Sequence, residues 1–298
     1  YSLIFPEHKD MDELRFINDV LDTGKFDSRF VELVGQDPFA NIRAQFYEQD
    51  GFTNVPGLFR FRVAYRLAFS QNARVILDGH GGDEAVGYGF EIFPKLVREG
   101  QLGRVALLLR AAVRQTGQNW TTVYLHLLEN YHQGRVKTRV LKRLLRPLAS
   151  HTSSAPRNAE IRERFLRPDF LSKHSEFFRE YSKARNPPCK SYADAFFCEV
   201  TSDYKRSVHE AFHNAATRHG ISLDFPFYDW DFLEFCASLR PEDRIDFSGP
   251  RAILRRALKR NYPASVYTRQ NKTNFRSDLS HGIFVHHGHT LRAIKNSG

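Results

Sequence analysis

The sequence is poor in cysteine. Cys189, Cys198 and Cys236 are irregularly spaced and form no CxxC pair, which argues against zinc and redox chemistry. Reduced thiols in the cytoplasm are the favoured reading. No apolar run approaches the roughly 20 residues that cross a bilayer. No basic stretch precedes an apolar one at the start, where Tyr1 opens directly into Ser2-Leu3-Ile4-Phe5, so no secretory signal is read. Internal repeats and extended low-complexity segments are also missing. Position 1 is not Met, which reads as a fragment or a processed chain.

What remains is an ordinary globular composition. The chain has 298 residues, 41% hydrophobic and 26% charged, enough for a sizeable core in one large domain or two ordinary ones. The net charge is +10 and the pI ≈ 9.6. Such an excess attracts phosphates, nucleic acid or an anionic membrane, without selecting among them.

Apolar periodicity places the first elements. Tyr1 to Phe5 reads as a short buried strand and Pro6 to Asp10 as its exit loop. Leu14, Ile17, Val20 and Leu21 predict a helix over 12–21, and Phe30 to Val34 a second strand. Pro56 opens a helix running to about Ser70, with Leu58, Phe61, Ala64, Tyr65 and Leu67 as its apolar face. Ala73 to Leu77 is a compact β-branched run that feeds Asp78-Gly79-His80-Gly81-Gly82-Asp83-Glu84. From about Gln101 helical periodicity dominates, up to about Asn261, with an exposed Ser/Pro/Asn-rich loop over 151–158. The expected architecture is an α/β nucleotide-binding part over 1–100 and a mainly helical part over 101–298.

The glycine loop carries most of the chemistry. A strand feeding a glycine-rich turn is the arrangement found at the C-terminal edge of a parallel sheet, where α/β proteins bind ligands. Gly79, Gly81 and Gly82 allow positive φ and close approach to a ligand, and successive backbone N–H groups form a concave anion site. Asp83 and Glu84 suit Mg²⁺, which accompanies ATP. The other reading is a tight strand-to-helix turn with solvent-facing acids.

Three ordered blocks add a family resemblance. Val75-Ile76-Leu77-Asp78-Gly79-His80-Gly81-Gly82-Asp83-Glu84 resembles the LSGxGxDE loop of asparagine synthetases. Asp224-Phe225-Pro226-Phe227-Tyr228-Asp229, then Phe232-Leu233-Glu234-Phe235, is similar to the RVPFLD segment and the helix after it. Arg251 to Ala257, Tyr262-Pro263, and Arg269-Gln270-Asn271-Lys272-Thr273-Asn274-Phe275 resemble the family's ending. The resemblance runs from Tyr1 to about Ile283.

It implies an adenine nucleotide alpha-hydrolase-like (PP-loop ATPase) parallel sheet with a large helical portion. The implied reaction splits ATP between its α- and β-phosphates, turns a carboxylate into an acyl-adenylate, and lets an amine attack. Carried over by position, Asp83 matches a Mg²⁺-pyrophosphate ligand, and Asp78 and Gly79 match loop positions that contact ATP. Leu3 matches a strand position whose backbone touches adenine. Lys272 matches the lysine that stabilises charge at the α-phosphate; outside the resemblance it reads as an ordinary exposed lysine. The implied partners are a small carboxylate such as aspartate or a precursor peptide, ammonia from a glutaminase domain, and a second copy in a homodimer.

Departures from the family narrow this. His80 stands where asparagine synthetases usually carry Glu and a β-lactam-forming relative carries Tyr. It reads as a general base toward the amine or as a hydrogen-bonding loop residue. Asp78 replaces a Ser, and Ser222 and Asp224 stand where the family has Glu and Arg. That loss of Arg weakens aspartate as substrate and fits lasso-peptide-cyclase-like relatives. The family's SGGxDS pyrophosphate loop and its glutaminase domain occur nowhere in these residues, so the chain reads as a truncated synthetase domain, inactive by itself. A non-catalytic basic binding module is the reading from another class.

Two constellations are assigned bland roles. Arg135, Lys137, Arg139, Lys142, Arg143 and Arg146 interleave with apolar residues. They read as the solvated face of a packed helix, so no nucleic-acid or membrane partner is expected. His281, His286, His287 and His289 fit no standard metal spacing.

Overall fold

The computed structural model describes all residues except 36–37, 40, 54, 88, 117–118, 132–166, 186–191, 247–248, 270–272, 274, 276, 290–291 and 294–298. Lys272, the basic stretch over 135–146 and the loop over 151–158 therefore lie outside the described residues. The first half carries β1 (Ser2–Ile4), α1 (Leu14–Leu21), β2 (Phe30–Glu32), α2 (Ile42–Glu48), α3 (Leu58–Ser70), β3 (Val75–Leu77), α4 (Gly82–Val86), α5 (Phe93–Arg98), α6 (Leu102–Thr116) and α7 (Trp120–Tyr131). Then come α8 (Pro168–Lys173), α9 (Ser175–Arg185), α10 (Tyr192–Val200), α11 (Asp203–Arg218), β4 (Ser222–Asp224) and α12 (Trp230–Ser238). The last are α13 (Pro241–Arg244), β5 (Ile245–Asp246), β6 (Gly249–Pro250), α14 (Ala252–Leu258), α15 (Ala264–Tyr267) and α16 (Ser277–His281).

The chain forms two compact units, each built from separated stretches. One comprises Tyr1–Ala85, Asp203–Cys236 and Ile253–Gly298; the other comprises Val86–Ser202 and Ala237–Ala252.

In the first unit, two helices end alike and each end feeds a strand. At the end of α3, Asn72 takes φ 64, Ala73 N–H donates to Ala68 C=O at 3.0 Å and Asn72 N–H to Phe69 C=O at 3.0 Å. At the end of α11, Gly220 takes φ 71, Ile221 N–H donates to Ala216 C=O at 3.0 Å and Gly220 N–H to Thr217 C=O at 2.9 Å. Both are Schellman caps, in which a left-handed residue lets two orphan carbonyls be satisfied while the chain reverses. A Cβ at Gly220 would also stand 2.5 Å from the Phe69 ring. The chain leaves these caps as β3 and β4, which pair in parallel with Ile76 opposite Leu223 and Leu77 opposite Asp224. The ladder extends one residue each way, through Ser222 N–H to Arg74 C=O at 2.7 Å and Asp78 N–H to Asp224 C=O at 2.8 Å.

Helix α3 is buried on two sides. Leu58, Tyr65 and Ala68 pack with Ala211, Phe212, Ala215, Ile221 and Leu223. The alanines at 68, 211 and 215 carry little side chain, so α3 and α11 approach closely. The other side of α3 presents Val63, Ala64 and Leu67 to Phe5, Met11, Val31 and Leu33, below a second parallel pair in which Leu3 stands opposite Val31. Arg60 then ties α3 to α16. Its Nε donates to Asp278 Oδ2 at 2.6 Å, and its Nη2 donates to Asp278 Oδ1 at 2.5 Å and to Phe275 C=O at 2.8 Å.

The second unit is mainly helical, around Phe90, Ile92, Phe93, Leu96, Val105, Leu108, Val123 and Leu127. Arg244, fully buried, donates from Nη1 to Val86 C=O at 2.6 Å.

The expected strands at 1–5, 30–34 and 73–77 and the expected helices at 12–21 and 56–70 each have a counterpart within a few residues. The helix expected from Pro56 begins at Leu58. The stretch after 101, read as mostly helical, also contains β4 and the antiparallel β5–β6 pair. The sheets are small two-stranded pairs and helix dominates. No helix among the described residues is long and apolar enough to cross a membrane.

Candidate functional site

Beyond Leu77 the chain turns sharply on Asp78. The Asp78 Oδ1 accepts the His80 backbone N–H at 2.8 Å, a local turn that aspartate side chains support. The same oxygen pairs with His80 Nδ1. Asp78 is nearly buried there, its side chain 10% exposed, while the His80 ring is 34% exposed. A carboxylate at Nδ1 favours the tautomer protonated on that nitrogen and leaves the lone pair on Nε2.

Three aromatic rings set the imidazole. Phe212 lies 4.2 Å from it, Phe61 5.5 Å and Phe225 6.3 Å, centroid to centroid. Phe61 comes from α3, Phe212 from α11, and Phe225 follows β4. Helices α3 and α11 and the segment after β4 thus each contribute one wall of the His80 environment.

The three glycines divide their roles. Gly81 alone of them has positive φ, at 92. A Cβ on Gly81 would run into the Tyr228 ring, and one on Gly82 would meet the Phe227 ring at 3.1 Å. Around Gly79 no heavy atom lies within 4 Å of a built Cβ. Only Gly79 therefore presents an open side. Gly81 and Gly82 receive the aromatic pair of the Pro226–Tyr228 turn, which locks the loop against the block that follows β4.

Glu84 pairs with Lys205 of α11, both side chains about one-fifth exposed (20% and 18%). Lys205, His209 and His213 recur every four residues and share one face of α11. His209 stacks on Phe225 at 4.4 Å and 11° and meets Tyr228 edge-on at 4.1 Å. His213 meets Phe225 at 5.4 Å. Burial holds His209 below the ordinary histidine pKa, with the charges of His80 and His213 adding in the same direction. The four-residue spacing of this stripe is visible in the sequence, but nothing local says that it faces the loop.

Asp78, Gly79, His80, Gly81, Gly82, Asp83 and Glu84 form one continuous loop and the start of α4. Leu3 packs instead on the opposite side of α3, with the β1–β2 pair. Among the described residues no group of three or more His, Cys, Asp or Glu side chains could hold a metal ion. His281 instead stacks edge-on with His8 and His286, and His287 with Phe39. Magnesium asks less of the protein, one or two carboxylates with phosphate oxygens completing its shell. In that role Glu84 would have to leave Lys205.

The family model for asparagine synthase matches residues 1–294. Searches of curated proteins and of solved structures found no match. A match over nearly the whole length, with the loop and the block after β4 packed ring against glycine, places the chain in the asparagine synthase family of ATP-dependent amide-forming ligases.

Proposed function

We propose that the chain activates a carboxylate as an acyl-adenylate and delivers it to an amine, in the manner of glutamine-hydrolysing asparagine synthase, on an adenine nucleotide alpha-hydrolase-like fold. The Asp78–His80 pair at the end of β3 carries this reading. An amine must lose a proton as it attacks, and an imidazole oriented through Nδ1 offers Nε2 to take it. The rings of Phe61, Phe212 and Phe225 limit the water around that imidazole, which keeps its orientation fixed.

ATP, when bound, supplies the leaving group that activates the carboxylate. The open backbone at Gly79 suits close approach of phosphates. Lys205 brings a cation to the same loop, and Lys272 is proposed as a second. Asp83 is the proposed Mg²⁺ ligand. The amine source is ammonia from a glutaminase domain in the simplest version.

A second reading within the family has its own observation. Ser222 and Asp224 are both exposed on β4, and Asp224 stands opposite Leu77. A negative side chain beside the site favours an amine-bearing peptide over free aspartate, as in isopeptide-forming cyclases. ATP–pyrophosphate exchange by the full-length protein, run with aspartate and with peptides carrying Asp or Glu, tests both. Exchange with aspartate supports asparagine formation, and exchange with peptides alone supports cyclisation. Background exchange with every carboxylate would leave a non-catalytic binding module.

A further inference from the structure

The ion pair of Glu84 and Lys205 occupies the loop with charges that have another use there. Glu84 follows Asp83 in α4, and Lys205 lies in the first turn of α11, 121 positions away. Both belong to the first unit. One turn beyond Lys205, His209 lies against Phe225 and Tyr228, and the Tyr228 ring stands where a Cβ on Gly81 would be. The pair thus flanks the same loop whose open side is at Gly79.

Neither side chain is fully buried, and neither is freely solvated, at 20% exposed for Glu84 and 18% for Lys205. Such a pair resists losing one member, because the charge left behind has lost its partner and recovers little water. A divalent cation arriving alone would draw Glu84 and strand Lys205. A phosphate arriving alone would draw Lys205 and strand Glu84. The two together give each side chain a new partner of opposite charge, and no charge is left over.

We propose that Glu84 and Lys205 are an exchangeable pair, in which Lys205 turns to phosphate as Glu84 turns to the metal, so that each ligand opens the loop for the other. This rests on the reading of the loop as the Mg²⁺-pyrophosphate site. Lys205 is then a binding residue, and its closed pair with Glu84 keeps either ligand from holding the loop alone. Coupling of this kind is reciprocal between the two ligands.

Lys205→Met in the full-length protein tests this, since it removes the cation and keeps an apolar stem of similar size. Binding of Mn²⁺ alone, followed by electron paramagnetic resonance, should tighten about tenfold, because Glu84 is released to the metal. Binding of inorganic pyrophosphate in EDTA, followed by calorimetry, should weaken by about the same factor. Adding Glu84→Gln to Lys205→Met should return Mn²⁺ binding to the wild-type value or below it. A damaged fold weakens both ligands, so the opposite signs separate exchange from structural harm. A Lys205→Met protein that binds Mn²⁺ no more tightly than wild type, or pyrophosphate no more weakly, overturns the proposal and leaves the pair as a tie between α4 and α11. If neither wild type nor variant binds either probe, the reading of the loop as a nucleotide site fails, and the exchange fails with it.

Discussion

The ring of Tyr228 fills the space that a side chain on Gly81 would need. Gly81 also has φ 92, a conformation that L side chains rarely adopt. Gly81→Ala should therefore destabilise the protein by about 2 kcal/mol or more, from backbone strain and overpacking together. Gly79→Ala, built into open space, should stay within about 0.5 kcal/mol of wild type. Urea unfolding of the two variants checks the contrast, and equal losses would remove the aromatic lock as the reason for Gly81.

The clamp between Arg60 and Asp278 is nearly dry, with side chains 10% and 8% exposed. Breaking a buried pair strands a charge, which costs roughly 3–5 kcal/mol. Asp278→Asn should fall in that range, while Arg62, whose Nη2 pairs with Glu48 Oε1 at 2.7 Å, is unaffected. A loss below about 1 kcal/mol in denaturant unfolding would show that the clamp contributes little.

Stability should fall on mild acidification. Burial lowers the pKa of both His209 and His219, Arg66 adding to the effect on His219. The unfolded chain therefore binds protons at higher pH than the folded one. The neutral forms carry no penalty above about pH 6.5, and stability declines as pH drops below that value. Thermal midpoints from pH 8 to pH 5 should show the decline, and His209→Gln with His219→Gln should flatten it. A double variant with the wild-type slope would assign the acid sensitivity elsewhere.

Asp83→Asn should abolish pyrophosphate release if Asp83 holds the metal, since a carboxamide is a far poorer ligand for Mg²⁺. Glu84→Gln should act differently, because Glu84 engages Lys205, and should weaken binding of inorganic pyrophosphate less than Lys205→Ala does. Exchange assays and calorimetric titration with pyrophosphate distinguish the two residues. Unchanged exchange in Asp83→Asn removes it from the site.

Much of the first unit was legible because its signals are local. The apolar run before Asp78 and the periodicity of α3 need no knowledge of partners. β4 was harder, since Ser222-Leu223-Asp224 has one apolar residue and becomes a strand by pairing with β3. The same limit hid the α11 stripe. Lys205, His209 and His213 look like a solvated helix face until Phe225, brought back by β4, lies against the two histidines and Glu84 pairs with the lysine. The loop itself was read correctly as a turn. Its three glycines are all expected to admit a ligand, and in the structure Gly81 and Gly82 also make room for the rings of Tyr228 and Phe227. Sequence spacing cannot tell a glycine that admits a ligand from one that admits a neighbouring ring.

The Arg60 clamp joins positions 218 apart, and the first unit is assembled from three separate stretches of chain. A ribosome synthesising this protein must therefore release most of the third stretch before the guanidinium finds its carboxylate, and β3 must wait for β4. Contacts of such long range make folding slow, and until they form, the edge of β3 and the apolar side of α3 stand uncovered. Newly made chains should depend on chaperones more than mature ones do.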